Sequence, residues 1–100
     1  MNIHLIEKQR RFEMIDSKNE TYESGFWAIQ EETAKKAING NIYFHKKKQE
    51  PSFFGGEILN YRVQNEGEFS GRIVFTFRAM IDHKNVKTGS TGWGMEKKIE

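Results

Sequence analysis

Apolar and polar positions alternate with the period of a strand in three stretches of this chain, and follow a helical spacing in one. Residues 41–46 set Ile42 and Phe44 against Tyr43 and His45. Residues 57–64 set Leu59, Tyr61 and Val63 against Ile58, Asn60 and Arg62. Residues 72–78 are the clearest case, with Ile73, Phe75 and Phe77 facing one way and Val74 and Thr76 the other. Both faces of this last stretch are mostly apolar, which predicts a central place in the sheet. Between Trp27 and the first of these strands, residues 30–38 read as a helix. Ala34, Ala37 and Ile38 share its apolar face. Glu31 and Glu32 open it and Lys35 and Lys36 close it, which suits the helix dipole and forms two Glu-to-Lys pairs at i,i+4. Asn39-Gly40 supplies a left-handed stop.

The flanks are less regular. Residues 2–15 alternate loosely through Ile3, Leu5, Phe12 and Met14 and predict an extended segment or hairpin. Residues 16–23 are polar and turn-rich and predict a loop. The end of the chain is Gly-rich, with Trp93 set between Gly92 and Gly94. Together these segments predict a single α+β domain over residues 1–100. Its expected architecture is a strongly bent mixed or antiparallel sheet, or a small β-barrel, with one or two short helices. Residues 1–24 form its N-terminal extended segment and loop.

Composition adds three constraints. The chain has no cysteine, so disulfides and thiolate metal sites are excluded, and a cytoplasmic location is expected. No stretch has the length of a membrane span or the apolar core of a signal peptide. The formal net charge of +2 is too small to argue for a polyanionic partner, so only local clusters such as Lys46-Lys47-Lys48 matter.

Catalytic and metal-binding patterns are missing. His4, His45 and His83 are far apart without ligand spacing, and read as surface or strand-edge residues. No serine sits in a G-x-S-x-G elbow, and Gly55-Gly56 lacks the frame of a phosphate loop. No catalytic residue, metal ligand or cofactor is assigned, and an enzyme is not expected.

The aromatic residues carry more information. Phe44, Phe75 and Phe77 alternate within strands and read as core. Phe53 and Phe54 lie in a loop between Pro51 and Gly55-Gly56, where large rings need a reason. Either they plug the core or they line a recess for a flat, partly apolar ligand. The two glycines mark either a bulge or close backbone approach to that ligand. Trp27 and Trp93 are open to the same two readings. Basic residues interleaved with aromatics suit nucleic acid, since cations hold phosphates and rings stack on bases. Trp27, Phe53, Phe54, Gly55, Gly56 and Trp93 are therefore the candidate ligand-binding residues, and Lys46, Lys47 and Lys48 the candidate phosphate contacts.

From Gly25 to about Phe77 the order of features resembles the PUA-like superfamily, in particular its EVE and ASCH branches. The features are a G-x-W opening at Gly25 to Trp27, a short helix carrying ETAKKAI, strands led by Gly40 and Gly55, and I-V-F-x-F at Ile73 to Phe77. A weaker echo is Gly92-Trp93-Gly94. The G-x-K-x-x-E-x-R run typical of ASCH domains is missing, and the chain is short for an EVE domain. The resemblance implies that residues 25–100 form a bent barrel with a cleft for RNA or a modified or flipped base. It implies that Trp27 and the 51–56 loop border that cleft and that Lys46, Lys47 and Lys48 meet phosphates. The function expected is a nucleic-acid or modified-base binding module acting on RNA or modified-base DNA. The alternative is a small protein-interaction factor, such as a phage- or mobile-element-encoded inhibitor of a host enzyme, with exposed aromatics as its interface.

Overall fold

The computed structural model describes residues 1–100. Its strands are β1 (Asn2–Ile6), β2 (Glu13–Asp16), β3 (Thr21–Trp27), β4 (Asn41–His45), β5 (Phe54–Val63), β6 (Ile73–Ala79) and β7 (Lys97–Ile99). One helix, α1 (Glu31–Ala37), lies between β3 and β4, and a 3-10 turn spans Ile81–His83. The strands form one seven-stranded sheet in the order β2-β3-β6-β5-β4-β1-β7. β1 runs parallel to β4, and every other neighbouring pair is antiparallel. The fold is thus α+β with a mixed sheet.

The edge strands β2 and β7 do not pair, so the sheet is not a closed barrel. It nevertheless curls until its ends approach. The Lys97 ammonium at one end donates to the Ala28 carbonyl just beyond β3. Register shifts between Ser24 and Trp27 and between Ile58 and Asn60 mark where the strands bend, as bulges do.

Alternation sorts the side chains into two layers. Ile3, Leu5, Ile42, Phe44, Ile58, Ile73, Phe75 and Phe77 join Trp27, Ile29, Ala34 and Ala37 in one core cluster. The parallel register sets Ile3 beside Ile42 and Leu5 beside Phe44. Phe12, from the segment between β1 and β2, packs edge-on against Phe44 at 4.7 Å and Phe54 at 4.9 Å. Each fully buried ring in this core contributes roughly 1.5–3 kcal/mol over exposure.

The opposite parity of β1 and β4 carries His4, Tyr43 and His45, under residues from the C-terminal part of the chain. Tyr43 is stacked between His4 (centroids 4.7 Å apart) and His83 (4.8 Å), and Trp93 meets His45 edge-on at 5.6 Å. His4, His45 and His83 are all buried, which corrects their reading as surface residues. Each makes side-chain hydrogen bonds that satisfy it, as burial of a polar ring demands.

Helix α1 matches its expected span apart from the end residues, and Asn39 takes the left-handed conformation, φ 71°, at its stop. The N-terminal residues are extended over β1 and β2, as one of the two expected readings had it, and not a hairpin. β1 and β2 do not form a hairpin with each other: β1 pairs with β4 and β7, and β2 pairs with β3. Most of the stretch expected to be a loop is a tight turn followed by β3. Its polar side chains lie on the solvated face of a strand near the edge, where period-two burial is weak. No helix is long and apolar enough to cross a membrane.

Candidate binding cleft and its basic neighbour

A cleft of about 500 Å³ opens between the two approaching ends of the sheet. Ile6, Glu7, Lys8, Gln9, Arg11 and Phe12 contribute from β1 and the segment after it, and Glu96 from just before β7. Glu23, Gly25, Phe26 and Trp27 contribute from β3, with Val74 from β6, Arg62 from β5 and Phe69 from the turn between those two strands. Its size falls within the roughly 300–1,000 Å³ of small-ligand pockets.

Four rings, Phe12, Phe26, Trp27 and Phe69, belong to its lining. Trp27 is 9% exposed, and its indole N–H donates to Ser24 Oγ at 3.1 Å. Phe26 and Phe69 lie nearly parallel with centroids 5.0 Å apart, and both are exposed. The charges roughly balance, with Lys8, Arg11 and Arg62 against Glu7, Glu13, Glu23 and Glu96. Arg62 is committed to Glu23 at 3.2 Å, whereas Lys8 and Arg11 have no carboxylate partner within the chain. Glu7 is the deepest of the acids, only 8% exposed. Burial pushes its carboxyl above the usual glutamate value, against the lowering effect of backbone N–H groups of Gln9 and Arg11 and the Arg11 charge.

A second recess of about 320 Å³ lies on the other side of the same β1–β2 connection. It is lined by Arg10, Lys46, Glu50, Pro51, Ser52, Phe53, Lys84 and Asn85. Three cations face a single acid there, and none of the three is in a salt bridge. The Arg10 guanidinium lies 4.6 Å from the Phe53 ring centroid, a cation–π contact. Buried Ser52 shapes this recess: its hydroxyl donates to the His83 carbonyl at 2.6 Å and accepts from the Val86 N–H at 2.9 Å.

The residues singled out from sequence are thereby divided. Trp27 belongs to the aromatic cleft, while Phe53 and Lys46 belong to the basic recess. The expectation that Trp27 and the 51–56 loop face each other across one cavity is corrected, because the β1–β2 connection lies between them. Neither Phe53 nor Phe54 is fully buried, and they separate in role. Phe53 lines the recess, and Phe54 packs among Phe12, Tyr22 and Phe77. Lys47 and Lys48 are exposed and line neither cavity. Trp93, half-buried, lies over the histidines and donates to the Gly89 carbonyl at 3.2 Å.

Gly55 and Gly56 sit inside β5, where protein backbone fills the space a side chain would need. A Cβ at Gly56 would overlap the Arg78 carbonyl oxygen, and one at Gly55 would overlap the Ile42 carbonyl and meet His83 Cβ at 3.0 Å. The close approach these glycines permit is that of neighbouring strands and of the 3-10 turn.

Glu7, Phe26, Phe69 and Lys84 were not singled out from sequence, and Arg10-Arg11 stood out only as a basic cluster. For Glu7 the usable signal was the period-two spacing that runs from Ile3 through Leu5 to Glu7 and sets a carboxylate where an apolar residue belongs. No group of three or more His, Cys, Asp or Glu side chains is arranged to hold a metal ion. Comparison of the chain with protein-family models, with curated proteins and with solved structures found no match.

Proposed function

We propose that this chain is a nucleic-acid or modified-base binding module, which takes a base into the aromatic cleft and phosphates into the basic recess. One observation carries the reading: the two cavities share the short connection between β1 and β2. Lys8, Gln9, Arg11 and Phe12 line the cleft, and Arg10 lines the recess. A strand laid over this connection sets its backbone against Arg10, Lys46 and Lys84 while one nucleotide turns inward. The near-neutral cleft suits an uncharged ring, and the cation-rich recess suits a phosphate. Stacking of this kind is worth about 1–3 kcal/mol per base. The PUA-like resemblance points the same way, since it implies a bent sheet whose cleft holds a base.

Anisotropy titrations with labelled single-stranded RNA and DNA test the proposal. Affinity is expected to fall as salt rises, because each phosphate contact releases counterion. Absence of binding to single-stranded, duplex and modified-base oligonucleotides at low salt would overturn it. A second reading, a protein-interaction factor, draws on the exposure of Ile81 (84%) and Met95 (89%). A stable, nuclease-resistant complex with a host protein, without oligonucleotide binding, would favour that reading.

A further inference from the structure

Glu7 is unusual among the acids of the cleft. Glu23 is engaged by Arg62, and Glu13 and Glu96 are exposed to solvent. Glu7 alone is more than nine-tenths buried, at the end of β1, where its backbone N–H bonds to the His45 carbonyl at 2.9 Å. Oε1 accepts from the Gln9 N–H at 3.2 Å, the Arg11 backbone N–H also bears on the carboxyl, and no side chain donates to it. An ionised carboxylate has about four lone-pair sites, so acceptor capacity is left over, and neither oxygen is sealed from solvent without a partner. That spare capacity opens on the cleft that Glu7 lines. Phe12, Phe26, Trp27 and Phe69 line the same cleft, so a planar ligand that stacks there can turn its edge and its N–H donors toward Glu7.

We infer that Glu7 is the specificity-determining residue of the cleft, and that it selects bases carrying an exocyclic amino group over those that lack one. Guanine offers two adjacent N–H donors to a carboxylate, and cytosine and adenine each offer an amino donor beside a ring nitrogen. Uracil, thymine and hypoxanthine lack the amino group and offer the acid only a single ring N–H, flanked by carbonyls in uracil and thymine. The Arg11 charge at the same wall favours the ionised, accepting form of the carboxyl against the effect of burial. The inference rests on the base-binding reading and specifies its ligand.

The experiment uses the full chain with Trp93→Phe, which leaves Trp27 as the sole tryptophan and reporter of the cleft. Short single strands carrying one central base between abasic positions are titrated against its fluorescence, with guanine, hypoxanthine, adenine, cytosine and uracil compared. Guanine is expected to bind at least about 10-fold tighter than hypoxanthine, which differs only by the amino group, and cytosine at least about 10-fold tighter than uracil. Glu7→Gln is expected to shrink both ratios to within about 3-fold. Equal affinities for guanine and hypoxanthine in the unsubstituted cleft would overturn the inference without any mutant, and so would ratios that survive Glu7→Gln. Failure of every strand to bind would instead overturn the base-binding reading beneath it.

Discussion

His4 Nδ1 lies 2.9 Å from His45 Nε2, and this buried contact links two acceptors through two imidazoles. At one end His45 Nδ1 is 2.9 Å from the Glu50 carbonyl, and at the other His4 Nε2 is 2.7 Å from Glu100 Oε1. Full bonding takes an N–H at each end and one proton between the rings. That is one proton more than two neutral imidazoles carry, so the pair accommodates one charge opposite Glu100 and not two. Burial is the largest influence on both rings and holds them below the ordinary histidine value of 6.5. His45 and Lys98 lower His4 further, against the pull of Glu100.

Because both folded-state values lie below 6.5, the unfolded chain binds more protons as pH falls through that value. Stability is then full above it and declines on acidification. Glu100 adds to the decline at lower pH, since burial, which raises its carboxyl, is outweighed by the His4 bond and the His4 and Lys98 charges, which hold it below 4.5. Thermal melting from about pH 7.5 to 5 is expected to show a falling Tm, and His45→Gln to flatten the fall. A Tm independent of pH across this range would contradict the linkage.

Trp27 and Trp93 should respond differently to truncation. Trp27 belongs to the core cluster, so Trp27→Ala is expected to cost about 3–5 kcal/mol. Trp27→Phe keeps most of that packing and is the variant in which weakened oligonucleotide binding is informative. Trp93 is half-buried outside the core and lines neither cavity, so Trp93→Ala should leave binding within about 2-fold while lowering stability by about 1 kcal/mol. Chemical denaturation and anisotropy on the same samples separate the two effects.

Gly56→Ala is expected to destabilise the fold severely, by more than about 4 kcal/mol, because the added carbon overlaps the Arg78 carbonyl of the adjoining strand. Gly67→Ala serves as the comparison, since nothing lies within 4 Å of its added carbon and only its φ of +78° opposes the change. Similar denaturation midpoints for the two variants would show that β5 and β6 are not packed as described.

Phosphate contacts should map to the recess rather than to the lysine run. Lys46→Ala, Arg10→Ala and Lys84→Ala are each expected to reduce the slope of log affinity against log salt by roughly 1. Lys47→Ala and Lys48→Ala should leave it unchanged, as both lie outside the recess. Equal effects from all three lysines of the run would favour diffuse attraction over a site.

Glu7→Gln should hold or raise the melting temperature at neutral pH. Burial raises the Glu7 carboxyl, so its ionisation opposes folding once pH exceeds the unfolded value, and a neutral amide removes that cost. A marked loss of stability would show instead that the carboxyl supports the fold.

The alternation of Ile42 with Tyr43, and of Ile73, Phe75 and Phe77 with Val74, was enough to locate β4 and β6, because a strand buried on one or both faces must repeat its apolar pattern. The charges and alanines of α1, and Asn39 after it, likewise marked a short helix and its stop from local chemistry. What the sequence could not carry were relationships between segments far apart in the chain. His4, Tyr43, His45, His83 and Trp93 are scattered in sequence and meet because a parallel β1–β4 register and the returning C-terminal residues stack them. Gly55 and Gly56 look like loop glycines until the Ile42 and Arg78 carbonyls of the adjacent strands occupy their space. The separation of Trp27 from Phe53 likewise depends on where the β1–β2 connection crosses between them. Local patterning sets which faces of each element avoid water; only the curl of the sheet, through long-range pairing, decided which side chains share a cavity.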